Sequence, residues 1–274
     1  MSGLIKGIDL SEHNGVVDWD QVKSSGVGFA MLRAGYGQTL DKQFVRNIEE
    51  CSRIGLPCGV YWFSYALSAV GAAREAAACL DAIRPYTVSF PVAFDLEYDS
   101  VNHAQRQGVY IGTELASDMA RAFCRAVRES GYSAMNYANP DYLSRYFDQA
   151  VQVEFSIWLA QWPGGTPRLE HPPRVCSMWQ YSNKGNIPGV SGPIDLDVCY
   201  ENYPKEEKHL SYMTGKQIYN ALNGYMDTLP VPEWAIKELA EAEELGITDG
   251  QNPARLIPRY QAAIMAKRAL NRRC

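Results

Sequence analysis

The stretch FPVAFDLEYDS, residues 90–100, sets Asp95 and Glu97 two positions apart at the end of an apolar run. Alternate residues of an extended strand share a face. Pro91, Ala93, Asp95 and Glu97 then fall on one side, and Phe90, Val92, Phe94 and Leu96 on the other. Carboxylates so placed have side-chain origins roughly 6.5 to 7 Å apart, from the rise of a strand. That range suits a proton-donating acid working with an ionised partner across a glycosidic bond. Burial and mutual repulsion raise the pKa of one of the two, which becomes the donor. A lone D-x-E reads more naturally as a solvated strand end, or as a partner for Arg33.

Here the pair is not alone. Asp9 closes KGIDLS and Asp195 opens IDLD, on the first and last predicted strands. Closing a barrel joins those strands, so four acids converge on one mouth. Only His13 and His103 lie near candidate loops, which argues against a His-rich zinc centre. An all-oxygen Mg²⁺ or Ca²⁺ site is the minority alternative, and no metal or cofactor is expected. Tyr and Trp gather in VYWFSY, MNYANPDY, IWLAQW and MWQY. Tyr61, Tyr137, Trp158 and Trp179 lie nearest strand ends, where rings can stack on sugars. Trp62 and Phe63 read as core, and Gln180 as a hydrogen-bonding residue inside the barrel.

The elements that must position these residues alternate regularly. Strands are predicted in LIKGIDL, VGFAMLRAG, PCGVYWFSYA, FPVAFDLE and YSAMNYAN. Helical patterns follow them in turn: DWDQVKSSG, with Asp18 as N-cap; DKQFVRNIEECSRIG, closed by Gly55; SAVGAAREAAACLDAI; after a polar loop, GTELASDMARAFCRAVRESG; and PDYLSRYF. Then come FSIWLAQW, RVCSMWQYS and IDLDVCY, with little room for helices between them. Five βα units and three β segments give an α/β fold, a flattened TIM-like barrel over 1–203. Residues 204–213 read as a linker. Residues 214–274 read as a small all-α domain with helices at 215–226, 232–245 and 258–271, the middle one acidic and the last basic.

Composition narrows the classes. A net charge of −5 on 274 residues argues against nucleic-acid binding. No apolar run approaches the roughly 18 residues of a membrane span. The start MSGLIKGIDLSEHNG lacks a signal-peptide pattern, so synthesis in the cytoplasm without Sec export is expected. Seven cysteines with no CxxC pair argue against a zinc or disulfide framework; most read as small buried hydrophobes.

KGIDLSEHNGVVDWDQVKSSGVGFAMLRAGYG, GVYWFSYA, PVAFDLEY, IWLAQW and MWQYSNKGNIPGVSGPIDLDVCY together resemble glycoside hydrolase family 25, the Chalaropsis-type lysozymes. The resemblance covers residues 3 to about 203. It implies a (β/α)5(β)3 barrel that cleaves the β-1,4 bond between N-acetylmuramic acid and N-acetylglucosamine in bacterial peptidoglycan. It makes Glu97 the proton donor and Asp95 its partner. Asp9 and Asp195 line the same acidic groove, Arg33 is a basic residue of the site, and Asp197 is structural. Residues 214–271 resemble a single S-layer-homology-like module, used for wall binding or for self-association. The combination resembles a phage endolysin of a Gram-positive host, acting on the wall after release. Two alternatives stand beside this: a non-catalytic wall-carbohydrate-binding protein, and another acid-catalysed N-acetylhexosamine glycosidase. A chitinase-like D-x-x-D-x-D-x-E pattern needs Asp at 90 and 93, where Phe90 and Ala93 stand.

Overall fold

A computed structural model describes residues 4–203, 231 and 233–245. The chain divides into two units, residues 1–207 and 208–274. In the first, strands β1 (Ile5–Leu10), β2 (Phe29–Tyr36), β4 (Cys58–Phe63), β5 (Val92–Asp95), β6 (Ala134–Ala138), β7 (Ser156–Ala160), β8 (Met178–Gly185) and β9 (Ile194–Cys199) form one sheet. A two-residue strand, β3 (Thr39–Leu40), hangs antiparallel on β2. The order β1-β9-β8-β7-β6-β5-β4-β2 closes on itself because β1 also pairs with β2. Every pairing in the ring is parallel except those of β9 with β8 and β1.

Helices α1 (Trp19–Ser24), α2 (Phe44–Arg53), α3 (Ala69–Ile83), α4 (Tyr98–Arg106), α5 (Thr113–Glu129), α6 (Pro140–Arg145) and α7 (Gln149–Glu154) connect the strands. Asp18 caps α1 through Gln21 N, and Gly55 follows α2 at φ 62°, as their sequences predict. Two helices were not predicted. The polar loop expected after Glu97 is α4, and α7 is a short helix ahead of β7. Of the second unit, the helix expected at 232–245 spans Glu233–Glu244 (α8). The linker, the helices expected at 215–226 and 258–271, and Cys274 lie outside the described residues.

Strand alternation splits the core in two. Ile8, Leu10, Leu32, Val60, Val92, Phe94 and Leu159 point outward under the helices. Phe29, Met31, Phe90, Ala93, Met135, Trp158, Met178 and Cys199 fill the barrel. One expectation fails at Phe90, whose ring lies inside and stacks on Phe29 at 4.4 Å. The regular strand starts at Val92, and Pro91, which has no N–H to give a ladder, interrupts the alternation before it. Along β2 the inward residues run Phe29, Met31, Arg33; along β5 and β6 they run Ala93, Asp95 and Met135, Tyr137. The interior is thus apolar at the strands' N-terminal end and polar at the C-terminal end. Asp195 opens β9, and that strand's reversed direction puts it at the polar end too.

Glycine makes room for the stacked rings. A Cβ on Gly59 would lie 2.6 Å from both Met31 Sδ and the Pro91 carbonyl oxygen. The backbone oxygen cannot be swung aside as a side chain could. Gly59→Ala is therefore expected to cost about 1–3 kcal/mol by overpacking, read from urea unfolding. An unchanged midpoint would contradict this account of the floor.

Candidate active site

The polar end of the barrel opens into a cavity of about 480 Å³ whose lining includes Asp9, Arg33, Tyr61, Asp95, Glu97, Tyr137, Trp158, Gln180 and Asp195. Eight of the nine residues singled out from sequence converge there. Trp179 does not. Its ring is 2% exposed in the outer core, and Nε1 donates to the Gln161 carbonyl at 2.7 Å. Trp179 precedes the inward Gln180, so alternation turns its side chain out of the barrel. Trp158 reaches the cavity as part of its floor, with its ring edge against Tyr61 and Tyr137. At 1% exposure it is a support for the site and not a stacking face.

Asp95 ends β5, 3% exposed, and its Oδ1 has no hydrogen-bond partner among the described residues. Glu97 stands at the start of α4, where its N–H donates to Ser100 Oγ at 3.1 Å. Burial is the main cause raising both carboxyls. The Glu97 charge adds to the rise at Asp95 while Arg33 opposes it. Asp195 and Asp99 add to the rise at Glu97. The two acids are close enough to titrate as a pair, and the pair keeps a proton well above the usual carboxylate range.

Arg33 does not neutralise them. Its Nε donates to Asp41 Oδ2 at 2.8 Å, Nη2 lies 3.4 Å from Glu12, and the guanidinium sits over the Tyr36 ring. Asp41 and Glu12 were not singled out from sequence as its partners. They are distant acids that a strand pattern cannot assign.

The opposite wall is a second acidic cluster. Asp9 pairs in register with Asp195 across β1 and β9. Gln180 Nε2 donates to Asp9 Oδ2 at 2.7 Å, while Gln180 Oε1 accepts from Tyr137 and Trp162. This is the in-barrel role expected of Gln180. Asp197 is fully buried, accepts from Trp158 Nε1 at 2.8 Å and lies against Asp9. Burial, then the Asp197 and Asp195 charges, push Asp9 up. Burial also pushes Asp197 up to about 7 and Asp195 to about 6. Outside the cavity, buried Glu75 accepts from Tyr65 N and is pushed to about 7, again by burial. Tyr65 in turn donates to Asp99 at the cavity rim. Among the described residues no group of three or more His, Cys, Asp or Glu side chains is arranged to hold a metal ion.

The family model for glycosyl hydrolases family 25 matches residues 8–190. The chain is 26% identical to the uncharacterized protein YegX of Escherichia coli over 207 residues, covering 72% of this chain and 70% of that one. It is 26% identical to Lysozyme M1 of Streptomyces globisporus over 198 residues, covering 70% and 66%. The solved structure of the modular autolysin LytC of Streptococcus pneumoniae, in complex with a synthetic peptidoglycan ligand, matches with a TM-score of 0.64 at 26% identity. That match covers 73% of this chain and 47% of LytC, so the chain spans about half of that protein's length.

Raised carboxyl pKa values fix the sign of the pH dependence of stability. Glu75, Asp195 and Asp197 bind protons up to about pH 6–7 when folded, but only up to about pH 4 when unfolded. Their stabilisation is complete below the unfolded pKa and is lost as pH rises through the folded one. The melting temperature of the full chain is expected to fall between about pH 5 and pH 8. A rising melting temperature over that window would contradict the assigned burial.

Proposed function

The chain belongs to glycosyl hydrolases family 25, and on that premise we propose that it is a muramidase. It cleaves the β-1,4 bond between N-acetylmuramic acid and N-acetylglucosamine in bacterial peptidoglycan. The observation that carries this reading is the Asp95–Glu97 pair, a buried carboxyl that ends β5 and a half-buried one at the start of α4, in one cavity and both raised chiefly by burial. Glu97, at the open side of the pair, gives its proton to the glycosidic oxygen as the bond to the anomeric carbon breaks. Positive charge develops on the sugar ring that holds the anomeric carbon, while its neighbour departs with the protonated oxygen, and Asp95 supplies the negative charge that stabilises that ring. Water then adds its hydroxide to the anomeric carbon and returns a proton to Glu97. Asp9 and Asp195 add to the negative field around the same carbon. Tyr61 and Tyr137 wall the sugar, and Trp158 fixes Tyr137 from below.

The wider reading is an endolysin. The chain is made in a phage-infected cytoplasm and acts on the wall after release, and residues 214–274 bind the wall or a second copy of the chain. Its support is the sequence resemblance of the tail and the position of α8 within it.

Glu97→Gln is expected to lower the rate of wall clearing about 10²–10⁴-fold, the usual worth of a general acid, while the chain still sediments with walls. Clearing at the wild-type rate by this variant would leave a non-catalytic or differently catalysed protein. Mass spectrometry of wild-type digests is expected to show muramic-acid reducing ends. Truncation after Tyr203 is expected to keep hydrolysis of solubilised glycan and weaken sedimentation with walls. Equal sedimentation of both chains would contradict the role given to the tail.

A further inference from the structure

Glu75 is a buried acid to which the proposed chemistry gives no task. It lies in the middle of α3, 1% exposed, on a face whose other buried positions are Ala72, Ala76, Cys79 and Ile83. A carboxyl in such company costs free energy unless its hydrogen bonds are met. Its partners are not cations. Burial raises it, and hydrogen bonds with the Ser64 side chain and with the Tyr65 and Ala66 backbone oppose the rise. Oε1 accepts from Tyr65 N at 2.9 Å.

Those three residues form the turn by which the chain leaves the barrel, between the end of β4 and the start of α3. Ser64 N donates to the Asp95 carbonyl at 2.8 Å, which ties the turn to the strand end that carries one acid of the pair. Beyond Ser64 the N–H groups have left the ladder, and Glu75 and the Ser64 hydroxyl supply their acceptors. Tyr65 carries the position of the turn on to the other acid. Its side chain lines the cavity, its OH donates to Asp99 Oδ2, and its ring lies against His103 with centroids 4.9 Å apart. Asp99 and His103 both belong to α4, which begins directly after Glu97. The Asp99 charge is among the causes that raise Glu97. A cation competes for Asp99: Arg106, on the same helix, has Nη2 at 3.9 Å from its Oδ1.

We propose that Glu75 is a positioning residue for the donor acid, fixing the turn after β4 so that Tyr65 holds Asp99 toward Glu97. The assignment rests on the proposed hydrolase function, in which Glu97 is the donor. Release of the turn frees Tyr65. Asp99 then pairs with Arg106, and its charge no longer helps Glu97 to keep a proton. The other charges facing Glu97, Asp95 from β5, Asp195 from β9 and Arg33 from β2, are held by the barrel and stay in place. Glu75 itself does not line the cavity. A glutamine at this position keeps a carbonyl oxygen where Oε1 stands and so holds the turn. An alanine leaves Tyr65 N without its acceptor.

The test is the pH profile of kcat/KM on solubilised glycan for the full-length wild type, Glu75→Ala, Glu75→Gln, Tyr65→Phe and the double variant Glu75→Ala with Tyr65→Phe. Melting temperatures serve as the folding control. Glu75→Ala is expected to move the basic limb down by about 0.3–0.5 pH unit, which is about two- to threefold in rate on that limb. Tyr65→Phe is expected to move it equally, and the double variant no further, because both act through one contact. Glu75→Gln is expected to keep the limb at the wild-type position. A folded Glu75→Ala with an unmoved limb, a Glu75→Gln that shifts as alanine does, or additive shifts in the double variant would each overturn the inference while the wild type stays active. If Glu75→Ala does not fold, Tyr65→Phe carries the test, and an unmoved limb there overturns it. A folded wild type that hydrolyses nothing would overturn the proposed function, and this inference with it.

Discussion

The pairing of the first strand with the last is the constraint on which the site depends. It sets Asp9 opposite Asp195 in an antiparallel ladder, where like charges directly across from each other destabilise a sheet. Burial raises both carboxyls, which favours their neutral forms, and hydrogen bonds around them offset the repulsion. Asp9 accepts from Gln180, and Asp197, packed against Asp9, accepts from Trp158. Strand β9 alone runs against its neighbours in the ring. Its reversal carries Asp195 to the end where the parallel strands finish, and so to the same mouth as Asp95.

The layering of the interior follows from the same closure. A floor of Phe29, Phe90, Met31, Met135 and Met178 excludes water from below. The carboxyls above it are therefore desolvated, and desolvation is the first cause of the raised pKa at Asp9, Asp95, Glu97, Asp195 and Asp197. Arg33 lines the same cavity, yet Asp41 and Glu12 already engage it. Its field lowers Asp95 without joining it in an ion pair. The result is an acid pair that retains a proton, which is what donation to a poor leaving group requires.

Much of this arrangement is legible in the sequence because a barrel repeats one rule. Inward residues recur at period two, and those nearest a strand's C-terminal end face the mouth. That rule finds Asp9, Arg33, Tyr61, Asp95 and Tyr137, while Asp195, at the start of its strand, reaches the mouth because β9 is reversed. It fails where the backbone leaves the pattern. Pro91 breaks the alternation, so Phe90 turns inward. Glu97 lies beyond the ladder, and the polar sequence after it hides a helix whose buried positions are few, Ser100 and Ala104 among them. Trp179 sits at a strand end, yet one residue of register separates the core from the cavity. Links between distant residues, such as Arg33 to Asp41 or Trp162 to Gln180, have no local signature. They are fixed by tertiary packing alone.

The central claim is that the Asp95–Glu97 pair holds a catalytic proton above the ordinary carboxylate range. The pH dependence of kcat/KM on solubilised glycan tests it most directly. The account predicts a basic limb with its midpoint above 4.5, the ordinary value for a glutamate, and loss of that limb together with activity in Glu97→Gln. A rate that declines through about pH 4.5, or one that stays level into alkaline solution, would contradict it.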